Sequence, residues 1–139
     1  MDNSCIFCKI ANGEIPSSTV YEDDMFRVIL DLSPAAKGHA LVLPKAHFRN
    51  IFDIDEATAS RLFVVASKVA KAMKASLGCD GMNIVQNNEE IAGQTVFHFH
   101  LHIIPRYAGD GQNISWNPGS MTSEQLQEIA EQIKSSGLL

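Results

Sequence analysis

Residues 97–104 read Phe97-His98-Phe99-His100-Leu101-His102-Ile103-Ile104, so three histidines alternate with apolar residues. Side chains on a β-strand alternate between its two faces, and a strand here would carry all three histidines on one face. The apolar residues, Phe97, Phe99, Leu101 and Ile103, would lie on the other face and anchor the strand in the core. Neighbouring imidazoles lower one another's pKa, because one cation disfavours a second. The pattern therefore predicts a row of neutral imidazoles on a functional face.

Three interpretations of this row fit the residues. The histidines are polar residues on a solvated face, or two or three of them bind zinc and leave a position open for water. In the third interpretation one imidazole is a nucleophile and its neighbours position the substrate. The chain has only five histidines among 139 residues, so three within five positions favour chemistry over solvation. The residues alone leave the metal site and the nucleophile open.

Outward from this segment, hydrophobic periodicity and turn residues predict an α+β fold with a mainly antiparallel sheet. The five predicted strands are residues 18–22, 25–32, 39–43, 82–86 and 95–104, with polar or Pro/Gly loops at 33–38 and 87–94. A long helix begins after Asp53 or Asp55 and ends at Gly78. Thr122 and Gln125 form a predicted capping box that opens a C-terminal helix ending near Ser135.

Composition limits the class of protein. A chain of 139 residues with 45% hydrophobic residues fits a single domain, residues 1–139. Three cysteines cannot all pair, and neither a signal peptide nor a membrane span is visible, so we expect a cytoplasmic protein with no membrane partner. The net charge of −5 argues against nucleic-acid binding. Lys37, Lys45 and Arg106 remain candidates for a local cationic site that binds a small anion.

The histidine run resembles the signature of the histidine triad (HIT) family, three histidines alternating with apolar residues. The resemblance runs from about Cys5 to Arg106 and includes residues 6–10, 14–16, 21–23, 38–47 and 93–96. Residues 5–8 and 104–106 are most similar to the bacterial branch. The resemblance implies a HIT-like fold with its core at about residues 5–106, followed by a C-terminal extension with a helix at about 122–135.

The family resemblance also implies an activity, a hydrolase or transferase that attacks the α-phosphate of a purine nucleotide. His100 would be the nucleophile, and water would release a nucleoside monophosphate from the covalent nucleotidyl-histidine. The substrate would be a nucleoside phosphoramidate or a dinucleoside polyphosphate. His98, His102 and Gln94 complete the predicted catalytic set. The alternatives are a nucleotide-binding regulatory protein with little turnover and a metallohydrolase that uses the three histidines on one zinc.

By the same resemblance, twelve residues are expected to bind the substrate. Asp31 would bind the ribose hydroxyls, whereas His39, Asn87, Gln94, Thr95 and His102 would lie near the phosphate. The base would lie among apolar side chains: Ile6, Phe7, Ile10, Ile15, Ile29 and Leu32. The alternative for these six is ordinary core. Asp31 and Asn87 are alternatively strand-end or loop caps, and Gln94 a solvated loop residue.

The spacing Cys5-x-x-Cys8 is half of a typical zinc site. Zinc-bearing members of the resembled family suggest His47 and His98 as the other ligands, which would make the site structural, and no organic cofactor is expected. The alternative is two buried reduced cysteines with His47 as a cap. The family further implies a homodimer that pairs through the long helix and its neighbouring strand. For Cys79 and Trp116 we expect packing roles.

Overall fold

Five antiparallel strands form one sheet in the computed structural model, which describes residues 2–139, so Met1 of the predicted domain lies outside the described residues. The strands pair in the order β1-β2-β3-β5-β4. Their bounds are β1 Thr19–Glu22, β2 Phe26–Leu30, β3 Ala40–Pro44, β4 Gly81–Val85 and β5 Leu101–Arg106. The predicted fold class, α+β with a five-stranded antiparallel sheet, is confirmed.

The long helix α2, Glu56–Leu77, covers one face of the sheet. Asp55 is its N-cap and accepts a hydrogen bond from the backbone N–H of Thr58, while Gly78 ends the helix in the left-handed conformation. Both ends were predicted, Asp55 as one of two candidates. The helix packs Leu62, Val65, Ala66, Val69 and Met73 against buried residues of β2, β3 and β5.

The last strand is shorter than predicted. Ladder pairing begins at Leu101, which faces Val42 of β3, so residues 95–100 lie outside the sheet. This segment is held by another contact, a 2.7 Å hydrogen bond from the N–H of Phe99 to the carbonyl of Phe48. The side chains still alternate, because Phe99, Leu101 and Ile103 lie in the core beneath α2. Phe97 was predicted in the core and is instead 36% exposed.

A short helix that the sequence did not predict lies over the other face of the sheet. This helix, α1 (Ile6–Ala11), begins at Cys5, whose thiol accepts a hydrogen bond from the N–H of Cys8. Phe7 and Ile10 pack against a second small core formed by Ala11, Ile29, Leu41 and Leu43. The site described below lies on this face.

The C-terminal extension carries α3, Ser123–Lys134, which opens with the predicted Thr122–Gln125 capping box. No residue of α3 is buried, and Trp116, for which packing was predicted, is 85% exposed. Cys79 is buried as expected. Among residues 2–139, no helix is both long enough and apolar enough to cross a bilayer.

Candidate active site

Backbone carbonyls fix the protonation of two of the three histidines in the row. His100 Nδ1 lies 2.7 Å from the carbonyl oxygen of His98, and His98 Nε2 lies 2.8 Å from that of Pro44. A carbonyl oxygen only accepts hydrogen bonds, so each of these nitrogens carries the proton. The lone pair of His100 is therefore on Nε2, and that of His98 is on Nδ1.

A chain of hydrogen bonds fixes the third histidine. The N–H of Ala35 donates to His39 Nδ1 over 2.9 Å, so the proton of a neutral His39 is on Nε2. His39 Nε2 lies 2.9 Å from His102 Nδ1 and donates to it. His102 consequently carries its own proton on Nε2. The site thus combines a lone pair on His100 Nε2 with a hydrogen-bond donor on His102 Nε2.

Burial keeps these imidazoles neutral. It lowers the pKa of His100, against the opposing effects of the His98 carbonyl and the Asp31 carboxylate. The pKa of His102 is lowered to about 4, mainly by burial and to a smaller extent by the neighbouring His100 and His39. The Asp31 carboxylate opposes this shift. Burial also lowers the pKa of His39, and the Asp31 carboxylate opposes this effect. Neutral imidazoles are nucleophiles and hydrogen-bond donors, which is the state that the sequence pattern predicted.

The low pKa of His102 predicts a specific dependence of stability on pH. Its pKa is about 4 in the folded protein, below the ordinary histidine value of 6.5. A histidine with a lowered folded pKa contributes stability above its unfolded pKa and loses it as the pH falls through this interval. We expect the Tm of the native chain to fall more steeply from about pH 7 to about pH 4.5 than the Tm of His102→Gln. If Tm changes with pH in parallel for the two proteins, the pKa of His102 is not lowered in the folded protein, and the prediction is wrong.

A cavity of about 390 Å³ opens between α1 and the sheet, and His100 and His102 lie in its wall. Seven of the predicted substrate-binding residues besides His102 line it. They are Ile6, Phe7, Ile10, Ile29, Asp31, Leu32 and Thr95. Leu30, Ser33, Leu41 and Val96 also line the cavity and were not predicted, because their neighbourhood depends on how α1 docks. One end is apolar, and the other presents the imidazoles.

Four predicted substrate-binding residues do not line this cavity. Ile15 is half-buried just after α1, and His39 lies behind His102 as its hydrogen-bond partner. The side chain of Asn87 lies against Gly93. Gln94 is buried, with its amide bonded to Arg49, Asn50, Glu89 and Val96 rather than directed into the cavity. The alternative expectation, a solvated Gln94, is wrong, because the residue is buried.

The predicted cationic site does not form. Lys45 pairs with Glu22, and Arg106 pairs with Asp110. Lys37 lines a different cavity, between α2 and the β1–β2 edge of the sheet. No Lys or Arg among residues 2–139 lines the cavity that contains His100.

The predicted zinc ligands do come together. The donor atoms of Cys5, Cys8, His47 and His98 lie within 4.8 Å of one another. His98 Nδ1 is 3.4 Å from each of the two thiols, and His47 Nδ1 is 3.3 Å from Cys8 Sγ. In a tetrahedral zinc site with ordinary bond lengths, sulfur and nitrogen ligands are separated by about 3.5 Å. Because His98 Nε2 donates to the Pro44 carbonyl, the lone pair on Nδ1 faces the thiols. A hydrogen bond on the other ring nitrogen orients metal-binding histidines in the same way. The four residues could hold a zinc ion.

The three histidines of the row do not share one metal site. His98 belongs to the cysteine cluster, and His102 belongs to a separate group with Asp31 and His39. His100 is in neither of the candidate metal groups found among residues 2–139. The geometry therefore does not support the alternative of a metallohydrolase with these three histidines on one zinc.

Comparison with known proteins shows the family to which the chain belongs. Residues 12–109 match the HIT domain family, and the chain belongs to that family. It is 47% identical to a HIT family protein from Bacillus anthracis, whose crystal structure it matches with a TM-score of 0.92 over 98% of this chain and 99% of that one. It is 36% identical over 133 residues to the Schizosaccharomyces pombe protein named adenosine 5′-monophosphoramidase hnt1, covering 95% of this chain and 97% of hnt1.

A further solved structure bears on the cysteine cluster. The chain is 38% identical to a zinc-bound histidine triad family protein from Mycobacterium smegmatis. The TM-score is 0.75, and the match covers 96% of this chain and 97% of that protein. Zinc is thus found in a relative of this chain.

Proposed function

We propose that the protein is a hydrolase that releases a nucleoside monophosphate from a purine nucleoside phosphoramidate or a dinucleoside polyphosphate. The observation that carries this proposal is the lone pair of His100 Nε2, held free in the cavity wall because Nδ1 donates to the His98 carbonyl. The name of the hnt1 relative, a phosphoramidase, supports this class of substrate. The apolar end of the cavity suits a purine base.

In the proposed reaction, His100 Nε2 attacks the α-phosphorus and the bond from phosphorus to the leaving group breaks. The leaving amine takes a proton from solvent as it departs. Water then attacks the phosphorus of the nucleotidyl-histidine, the bond from phosphorus to His100 Nε2 breaks, the hydroxyl of the water stays on the product, and its remaining proton returns to solvent. The Nδ1–H bond to the His98 carbonyl stabilises the charge that His100 gains. His102 Nε2–H donates to a phosphate oxygen, where charge changes during the attack.

The proposal is tested by incubating the purified protein with adenosine 5′-phosphoramidate and measuring release of AMP. We expect multiple turnovers in the presence of a metal chelator added just before the assay, since His100 needs no metal for the attack. Tight AMP binding without turnover would instead make the chain a nucleotide-binding protein of the regulatory kind.

We propose that Asp31 binds the ribose hydroxyls. Its Oδ1 accepts a 2.8 Å hydrogen bond from the N–H of Ser33, whereas Oδ2 lies 3.6 Å from His39 Nε2, beyond hydrogen-bond distance. Asp31 lines the cavity and is also the loop cap of the alternative expectation. Asp31→Asn can keep the bond to Ser33, because an amide oxygen accepts, and it therefore separates the two roles.

A substrate without ribose hydroxyls should react slowly. We expect a 2′,3′-dideoxy substrate to lose about tenfold or more in kcat/KM, since a hydrogen bond to a charged group contributes about 1.5–3 kcal/mol and 1.4 kcal/mol is a factor of ten. Adenosine and guanosine substrates should differ by less, because the walls of the base pocket are apolar. Equal rates for ribose and dideoxyribose substrates, with strong purine discrimination, would contradict this placement of the sugar.

We propose that Cys5, Cys8, His47 and His98 bind a structural zinc ion. When bound, zinc would tie α1 to the segment before β5. The contacts of His98 support this, because its ring belongs to the cysteine cluster while its carbonyl holds His100. The free thiols of Cys5 and Cys8 further support a cytoplasmic location, where thiols stay reduced.

We propose that two copies pair through α2 and β4. Strand β4 is at one edge of the sheet, and its unpaired backbone groups can continue the ladder into a second copy. Ile84 of β4 is exposed, and so are Phe63 and Val64 of α2. Exposed apolar side chains on both elements are typical of an interface.

The dimer predicts different effects from two matched substitutions. Val64 on α2 and Val20 on β1 are each 49% exposed. Val64→Glu should convert the dimer to a monomer in sedimentation velocity, because it places a charge in the apolar contact. Val20→Glu should leave the dimer intact. A monomeric native protein, or loss of the dimer in both variants, would contradict the proposed interface.

A further inference from the structure

Gln94 uses its whole hydrogen-bonding capacity inside the protein. Its Oε1 accepts from the N–H of Glu89 over 2.9 Å and from Asn50 Nδ2 over 3.2 Å. Its Nε2 donates to the carbonyl of Arg49 over 2.8 Å and to that of Val96 over 3.1 Å. A carboxamide makes four hydrogen bonds, and all four are made here. With the side chain 2% exposed, nothing of this amide remains for a phosphate.

The partners of Gln94 are themselves held in place. Asn50 is 1% exposed and donates to Glu89 Oε1 over 2.9 Å as well as to Gln94. Arg49 binds the same carboxylate, with its Nη2 2.8 Å from Glu89 Oε2. These four residues, Arg49, Asn50, Glu89 and Gln94, form a network that joins the loop after β3 to the loop before His98.

The backbone at Glu89 is strained, which indicates that this network fixes the loop. Among residues 2–139, Glu89 is the one non-glycine residue with positive φ, with φ 73° and ψ 159°. That region is normally adopted by glycine and persists in other residues only where the surroundings enforce it. The enforcing contacts are those of the network. Gln94, the last residue of the network, is followed directly by Thr95 and Val96, which line the cavity beside His100 and His102.

We propose that Gln94 is a positioning residue that sets the backbone of Thr95 and Val96 at the phosphate end of the cavity and makes no contact with the substrate. The proposal rests on the proposed hydrolase function. It differs from the expectation drawn from the family resemblance, in which Gln94 steadies a phosphate oxygen directly. The reason is geometric, since the amide is consumed by four partners behind the cavity wall.

The test uses variants of the full chain assayed with adenosine 5′-phosphoramidate. Gln94→Met, which removes all four bonds at similar volume, should lower kcat about 10- to 100-fold, as small misplacements near a reacting group do, with KM changed little. Asn50→Ala should lower kcat in the same direction although Asn50 does not line the cavity. The kcat of the double variant should be no lower than that of the less active single variant, because both substitutions break one network. Gln127→Met, on exposed α3, is the matched control and should match the native rate.

A direct contact of Gln94 with phosphate gives the opposite result. Asn50→Ala would then keep native kcat while Gln94→Met lost it, or the two losses would multiply in the double variant, and either outcome overturns the proposal. Should Gln94→Met fail to fold, Asn50→Ala decides the test alone, because it keeps the Gln94 side chain and removes one of its four partners. Native kcat in folded Asn50→Ala then overturns the proposal. Native kcat in every folded Gln94 variant also overturns the proposal.

Amide hydrogen exchange separates this proposal from the proposed function. Exchange is measured without substrate at the two hydrogen-bonded amides that flank Thr95 and Val96, those of Gly93 and Phe99, which donate to the carbonyls of Glu90 and Phe48. It should accelerate in Gln94→Met and Asn50→Ala relative to native protein and Gln127→Met. Unchanged exchange overturns the positioning role whatever the activity. If the native chain hydrolyses no nucleotide, the hydrolase proposal fails on that result, and the network is then judged by exchange and by AMP affinity.

Discussion

His100→Ala is expected to abolish release of AMP, with a loss of at least about 10³-fold in kcat. The imidazole is the one group in the cavity whose lone pair is held free by a hydrogen bond on its other nitrogen. Without it the reaction has no covalent route, and only binding and the donor on His102 would remain. Single-turnover measurements on the variant and the native protein give the two rates directly.

The control for His100→Ala is nucleotide binding. AMP should still bind within about an order of magnitude of native affinity, since most of the cavity wall is unchanged. Intact binding with lost turnover assigns the defect to chemistry rather than to folding. Turnover at a native rate in a pure preparation would remove His100 from the mechanism.

Loss of the cysteine cluster should have the largest effect on stability. Cys8 is fully buried and contacts both His47 and His98, so Cys8→Ser should abolish zinc binding. A ligand present at a thousand times its Kd contributes about 4 kcal/mol, and for a domain of this size that corresponds to a Tm lower by about 10 °C. Differential scanning calorimetry and elemental analysis on the same samples measure both effects.

Cys79→Ser is the matched control for this prediction. Cys79 is also a buried free thiol, and it belongs to neither candidate metal group. It should keep about one zinc per chain, whereas Cys8→Ser should hold almost none. Native protein that contains no zinc when it is produced with zinc supplied, and that melts as Cys8→Ser does, would contradict a structural metal site.

The elements that the sequence predicted well are those with local signals. Helix α2 has a cap at Asp55, a periodic apolar face and Gly78 at its end, all within one stretch of chain. The start of β5 was wrong by six residues, because pairing depends on where β3 and β4 supply partners. Helix α1 was missed because six residues are too short for a periodic pattern.

For the candidate site too, the sequence predicted the features with a local signal and missed those that depend on the fold. Alternation alone predicted that the histidines of the row share one side, away from Phe99 and Leu101 in the core. Which nitrogen of each imidazole is free depends on the Pro44 carbonyl and the Ala35 N–H, which reach the site only through the fold. Gln94 was expected at the phosphate by resemblance to the HIT family, and the four hydrogen bonds that its amide makes inside the protein depend on the fold and not on a local sequence pattern.

The central claim is that His100 forms a covalent bond to phosphorus, and trapping that adduct tests it most directly. Native protein is mixed with adenosine 5′-phosphoramidate, quenched at times shorter than one turnover, digested and mapped by mass spectrometry. We predict an adenylyl group on His100 and on none of His39, His47, His98 or His102, appearing before AMP in the same time course. An active enzyme with no adduct at any time, or with the adduct on another histidine, would contradict the mechanism.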